Sequence, residues 1–150
     1  MNLLKREIGR FPLGIWIALI ALLLTFLAWL MQTYSLLDWE GAVKFGVQNE
    51  SFTGDAVERA IADVERGVAI ADIIWALPIT IIAFIGLLRK KFIGFVAAMM
   101  VFAVCVYFPL FYTFRESMNF DIVLAAIILW AIPSLLGVIG LWSNRKLFEI

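Results

Sequence analysis

Few residues in this chain are of a type that does chemistry inside an apolar setting, and Asp72 is the most exposed to that demand. It falls at the edge of a long uncharged stretch, and an ionisable side chain within a membrane-length apolar segment is a functional candidate by default, since its charge must be paired or neutralised. On a continuous helix, Glu58, Glu65 and Asp72 form one acidic row beside an apolar stripe. Tyr107, with Tyr112 and Arg115 beyond it, reaches a similar height on a later apolar stretch, so the expected polar cluster pairs Asp72 with a tyrosine hydroxyl or with Arg115. Two roles fit such a cluster: a proton or cation site, and a hydrogen-bonded clamp between the loop helix and the spans. A lone carboxylate without a chain of others makes a poor relay, which favours the clamp.

Proline and tryptophan supply the second set of candidates. Trp75-Ala76-Leu77-Pro78 matches Trp130-Ala131-Ile132-Pro133, and Pro109 interrupts a third apolar stretch. A proline inside a helix has no N–H to donate and its ring crowds the carbonyl four residues back, here those of Ile74, Leu129 and Cys105, so each helix tends to bend. Three bends would open an apolar pocket lined by Trp75, Pro78, Phe102, Phe111, Trp130 and Pro133, suited to a hydrophobic molecule or a lipid tail. The stronger competing reading is that the aromatic rings fill the space the bends leave.

Other chemistries lack their residues. The chain has no histidine and one cysteine, Cys105, so it offers no internal disulfide, no axial haem ligand and no thiol pair. It contains no Gly-rich phosphate loop, no His/Cys cluster and no Ser-His pairing. Four-span thiol oxidases, b-type cytochromes and claudins are excluded by the missing paired cysteines or histidines, and small multidrug exporters by a first span whose only polar group is Thr25. No catalytic residue, cofactor, metal or nucleic-acid partner is expected. The basic run Arg89-Lys90-Lys91 would meet anionic headgroups, but it is first of all a topology signal.

These residues must be positioned by membrane-length helices. The chain is 64% hydrophobic and 16% charged with a mean hydropathy of +1.00, whereas a soluble domain is about half apolar and a quarter charged. The charges cluster, leaving apolar runs that place helices near residues 13–31, 68–88, 92–114 and 121–142. Each is close to or above the roughly 20 residues that cross a bilayer. The first run is longer than the about 7–15 residues of a signal-peptide core, and no Ala-x-Ala site follows it, so it reads as an uncleaved span. The expected fold is an all-α membrane protein with a single domain: a four-transmembrane-helix antiparallel bundle with an extracytoplasmic helical loop, residues 32–67, that extends helix 2.

The helix in that loop is signalled by Asp55 and Glu58, spaced as a capping box. Val57, Ala60, Ile61, Val64 and Val68 then recur at helical spacing, and nothing breaks the pattern before the second span. The stripe is expected to be covered by the first half of the loop, by the lipid interface or by a partner. Ile85-Gly86-Leu87-Leu88 also echoes Ile139-Gly140-Leu141-Trp142, after a shift of one residue relative to the tryptophan-proline match, as a duplicated pair of hairpins would. The alternative is that such features are generic to spans.

Orientation follows from the basic residues, which favour the cytoplasm in short loops. Lys5, Arg6, Arg10, Arg89, Lys90, Lys91, Arg145 and Lys146 lie on one side with only Glu7 and Glu149 as acids, while acids outnumber bases on the other. Both termini are therefore expected in the cytoplasm, and the location is expected to be a prokaryotic cytoplasmic membrane. The leading functional expectation is a non-enzymatic accessory or structural component acting on a protein partner, a like subunit or the lipid bilayer through its acidic outer loop and helix. The alternative is a small transporter or binder of a hydrophobic or lipid-like molecule. Asn49-Glu50-Ser51 is a glycosylation triplet that matters only where the source glycosylates proteins.

Overall fold

The computed structural model describes residues 3–48, 54–114 and 120–148, and every side chain there except those of Tyr112 and Ile122. Four helices are long and apolar enough to cross a membrane: Leu13–Leu37, Ala56–Leu88, Phe92–Phe111 and Val123–Ser143. In chain order, β1 (Glu7–Ile8) and β2 (Phe11–Pro12) form a small antiparallel hairpin before α1 (Leu13–Leu37) and α2 (Trp39–Lys44). α3 (Ala56–Ala71) runs through a π turn, Asp72–Ala76, into α4 (Leu77–Leu88). α5 (Phe92–Thr113) follows, and α6 (Phe120–Ala126) runs through a second π turn, Ile127–Ala131, into α7 (Ile132–Ser143). The helix expected to start after Asp55 does continue into the second apolar stretch.

α1 is longer than its hydropathy indicates. The apolar run fades after Met31, but no glycine or proline stands between Gly14 and Gly41, and the helix continues to Leu37. The hydroxyls of Thr33 and Ser35 donate to the carbonyls of Trp29 and Met31, at 2.8 and 3.0 Å, so these polar side chains are satisfied without breaking the helix.

The chain forms two compact units, Met1–Thr25 with Ile79–Ile150, and Phe26–Pro78. The first is built around Phe11, Ile15, Leu22, Leu87, Val101, Phe102 and Leu141, all buried. Two glycine seams let backbones meet. Gly86 of α4 lies against Gly94 of α5, and Gly140 of α7 against Gly14 of α1, where an added methyl group on Gly14 would come within 2.8 Å of the Gly140 Cα. Small residues at such crossings allow the close contact that drives helix association in lipid. Farther along α1 and α5, Thr25 Oγ1 lies 3.4 Å from Cys105 Sγ, while the Thr25 hydroxyl is also 2.9 Å from the Ala21 carbonyl.

These contacts obey an approximate two-fold relation. Exchanging α1 for α5 and α4 for α7 turns one glycine seam into the other, and it maps the Thr25–Cys105 contact onto itself, because Gly14 to Thr25 is the same interval as Gly94 to Cys105. Burial follows the same exchange. Thr80, Ala83, Gly86 and Leu87 are buried, as are Ser134, Gly137, Gly140 and Leu141, while Ile81, Ile82 and Ile85 are exposed like Leu135, Leu136 and Ile139.

One end of this unit is closed by features without a hydropathy signal. The Asn144 side chain donates to the carbonyls of Leu4 and Gly140, at 3.1 and 2.8 Å. Phe148 is buried with its ring 5.6 Å from that of Phe95, and Arg10 and Lys90 both lie over the Phe11 ring. The N-terminal segment, the Arg89–Lys91 turn and the C-terminal segment therefore meet, bringing together three basic segments that are far apart in sequence.

In the second unit, Asp38 caps α2 by accepting the Gly41 amide at 2.9 Å, and the Tyr34 hydroxyl donates to its other oxygen at 3.2 Å. α2 is followed, after its cap residue Phe45, by Gly46, whose φ of +71° favours glycine, and the Gln48 side chain returns to that of Gln32 at 3.0 Å. The capping box at α3 is formed in full: Asp55 accepts the amides of Val57 and Glu58, and Glu58 accepts the Asp55 amide at 2.9 Å.

Candidate functional site

Asp72 is carried inward by its neighbours. Ala62, Ala69 and Ala76 recur at seven-residue intervals and are buried at 0–2% exposure, forming a smooth face on which the second helical stretch can approach its surroundings closely. Asp72 lies on the same side, three residues after Ala69 and four before Ala76, and is itself 6% exposed. Its Oδ2 is buried with no hydrogen-bond partner among the described residues. The face turned in is thus the row of alanines with its flanking acid. Two valines of the expected stripe are rotated out: Val57 and Val64 are 65% and 54% exposed, and the first half of the loop does not cover them, while Val68 is half-buried.

Asp72 also opens the first π turn. The Leu77 amide reaches back five residues to the Asp72 carbonyl, and in the second turn the Ile132 amide reaches back to Ile127 in the same way. Each turn ends two residues before a proline, Pro78 or Pro133. Widening the helix by one residue relieves the clash between the ring and the preceding turn, so Pro78 and Pro133 are accommodated by a change of hydrogen-bond register. Pro109 has no such turn ahead of it, and α5 remains α-helical through it.

The other predicted residues are distributed as follows. Tyr107 belongs to the first unit and Asp72 to the second. Tyr107 is exposed and stacks on Phe111 with centroids 6.5 Å apart. Arg115, the Tyr112 side chain and the Asn49-Glu50-Ser51 triplet lie outside the described residues. Among the aromatic candidates, Phe102 is fully buried beneath Gly137 and Trp130 packs against the same core, each ring filling space between helices. Phe111 lies apart from them, beside a shallow, open apolar hollow on α5 with Tyr107, Leu110 and Phe114, all exposed. Trp75 and Pro78 are in the second unit, with Trp75 45% exposed, whereas Pro133 is in the first.

Sequence reasoning did not identify the alanine row, the paired glycine seams or Asn144. The alanine row had a usable signal, its seven-residue interval. The seams became apparent only from which glycines meet. Among the described residues no group of three or more His, Cys, Asp or Glu side chains is placed to hold a metal ion. No family model matches the chain, and neither the curated proteins nor the solved structures contain a match to it.

Proposed function

We propose that the chain is integral to a membrane, crosses it four times with both termini in the cytoplasm, and acts as a non-enzymatic accessory or structural component through the segment between its first two spans. The observation that carries this reading is the outward row of Val57 and Val64 on α3, 65% and 54% exposed. α3 also exposes Glu58, Arg59, Asp63 and Arg66, charges that are costly in hydrocarbon, so this part of the helix belongs in water or among headgroups. There an apolar row on an otherwise charged helix suits a protein partner or a second copy of the chain. Leu37 and Phe45, 83% and 76% exposed, enlarge the apolar surface of the same unit. The meeting of the three basic segments supports the orientation, since basic residues favour the cytoplasmic face.

Photo-crosslinking amino acids at Val57 and Val64, activated in intact cells, test the reading. One adduct of defined mass, either a dimer of the chain or a single partner, is expected from both positions. A purified monomer with no adduct at either position that still binds a small hydrophobic ligand would contradict it. That outcome belongs to the second reading, a binder of a lipid-like molecule, which draws support from the hollow beside Tyr107, Leu110, Phe111 and Phe114. A photoactivatable fatty acid should then label α5 in the wild type and lose that labelling in Phe111→Ser.

A further inference from the structure

We propose that Asp72 is a proton-binding site: a buried carboxyl on the first π turn that takes up and releases a proton. This is independent of the partner-binding reading above, which does not use Asp72.

The turn itself does not require an acid. The second π turn has the same five-residue length, the same position before a proline and the same reach-back hydrogen bond, and it opens with Ile127. An aspartate is thus placed where an aliphatic residue builds the same backbone. The alanines on either side hold it inward at 6% exposure, and its Oδ2 has no hydrogen-bond partner among the described residues. A carboxylate with one oxygen that has given up water without gaining a partner is in an expensive state, one that binding a cation relieves.

The geometry also selects the cation. A multivalent metal needs several oxygen, nitrogen or sulfur ligands, and no such cluster exists among the described residues. A lysine or arginine from another chain is too large to reach a group that is 94% covered, given its 6% exposure. A proton needs neither a ligand set nor an opening. In the exchange an O–H bond of a hydronium ion breaks as an O–H bond forms on the carboxylate oxygen, leaving a water molecule, and the reverse transfer to water releases the proton.

The ionisable groups of the same unit lie on three helices; on α3 and at its cap, Asp55, Glu58, Arg59 and Asp63 lie more than two turns before Asp72. On α3, Glu65 and Arg66 are nearest along the chain, and Glu65 follows the same helical row. On α1, Tyr34 is the single titratable group of the segment in this unit, and its hydroxyl is engaged with Asp38. On α2 the charged groups are Glu40 and Lys44, with Asp38 at its cap.

The test is difference infrared spectroscopy of the whole chain in lipid bilayers, recorded across a pH titration. A carbonyl-stretch band of a protonated carboxyl should grow and vanish with pH in the wild type. It should be lost in Asp72→Asn and shifted in Asp72→Glu. Aspartate-selective ¹³C labelling of the unaltered chain should move the same band, a readout that needs no variant to fold. A band unchanged in Asp72→Asn, a band that does not move on labelling, or the absence of any pH-dependent carboxyl band would overturn the proposal.

Discussion

The second and fourth apolar helices follow one plan with different additions. Both pass through a five-residue π turn, carry a tryptophan and alanine before a proline, and end in a segment whose glycine meets a glycine of another helix. Their polar residues differ. The second helix begins at Ala56 with a full capping box and carries Asp72 into its turn, whereas the membrane-length part of the fourth begins at Val123 and has Ile127 at that place. The shared parts are therefore scaffold, and the acid and the extension are additions that the scaffold does not need. A duplicated hairpin, one copy of which gained a new polar end, would produce this likeness and this difference.

The largest expected effects test the equivalence of the halves. Phe102 and Leu22 occupy matching places in the first unit and both are fully buried. Phe102→Ala should cost about 3–5 kcal/mol and Leu22→Ala about 2–5 kcal/mol of unfolding free energy in detergent titrations. A cost below ~1 kcal/mol at either would mean that it does not belong to a shared packed core.

The glycine seams give a sharper comparison. Gly86→Val and Gly140→Val each drive a side chain into backbone, and each should destabilise by about 1–3 kcal/mol or more. The two-fold relation predicts that the costs agree within a factor of two. A severe effect at one seam and none at the other would break the relation.

The smallest effect concerns the addition. Asp55→Ala should cost about 1 kcal/mol through loss of the α3 cap. Hydrogen exchange should accelerate at the first turn of α3 and stay unchanged in α7. Acceleration spread through α7 would show that the extension is part of the scaffold after all.

The apolar runs make the spans legible in the sequence, because hydrocarbon tolerates little else, and the Asp55–Glu58 spacing announces the start of α3 for the same kind of local reason. Where α1 ends is not legible in hydropathy, since apolarity marks a preferred solvent and Gln32 to Leu37 are helical without being strongly apolar. The prolines are visible, but the π turns ahead of Pro78 and Pro133 are not, because a change of hydrogen-bond register has no signal in residue type. The tryptophan-proline match and the glycine match are offset by one residue, since Thr80 follows Pro78 by two positions and Ser134 follows Pro133 directly. The mates Gly14 and Gly140 lie at opposite ends of the sequence, and only the fold brings them together. Asp72 stands out by its type alone, whereas its burial comes from Ala69 and Ala76, which single-residue reasoning passes over.

The proposed topology puts α3 on the opposite side of the membrane from the basic segments. Because Cys105 is buried, a Cys105→Ser background gives a chain without cysteine into which single cysteines can be placed. Val57→Cys, Lys90→Cys and Lys146→Cys are then treated in intact cells with a membrane-impermeant maleimide. The expected result is labelling at position 57 in intact cells, with positions 90 and 146 labelled only after permeabilisation. Labelling of 57 and 90 from the same side would contradict the account.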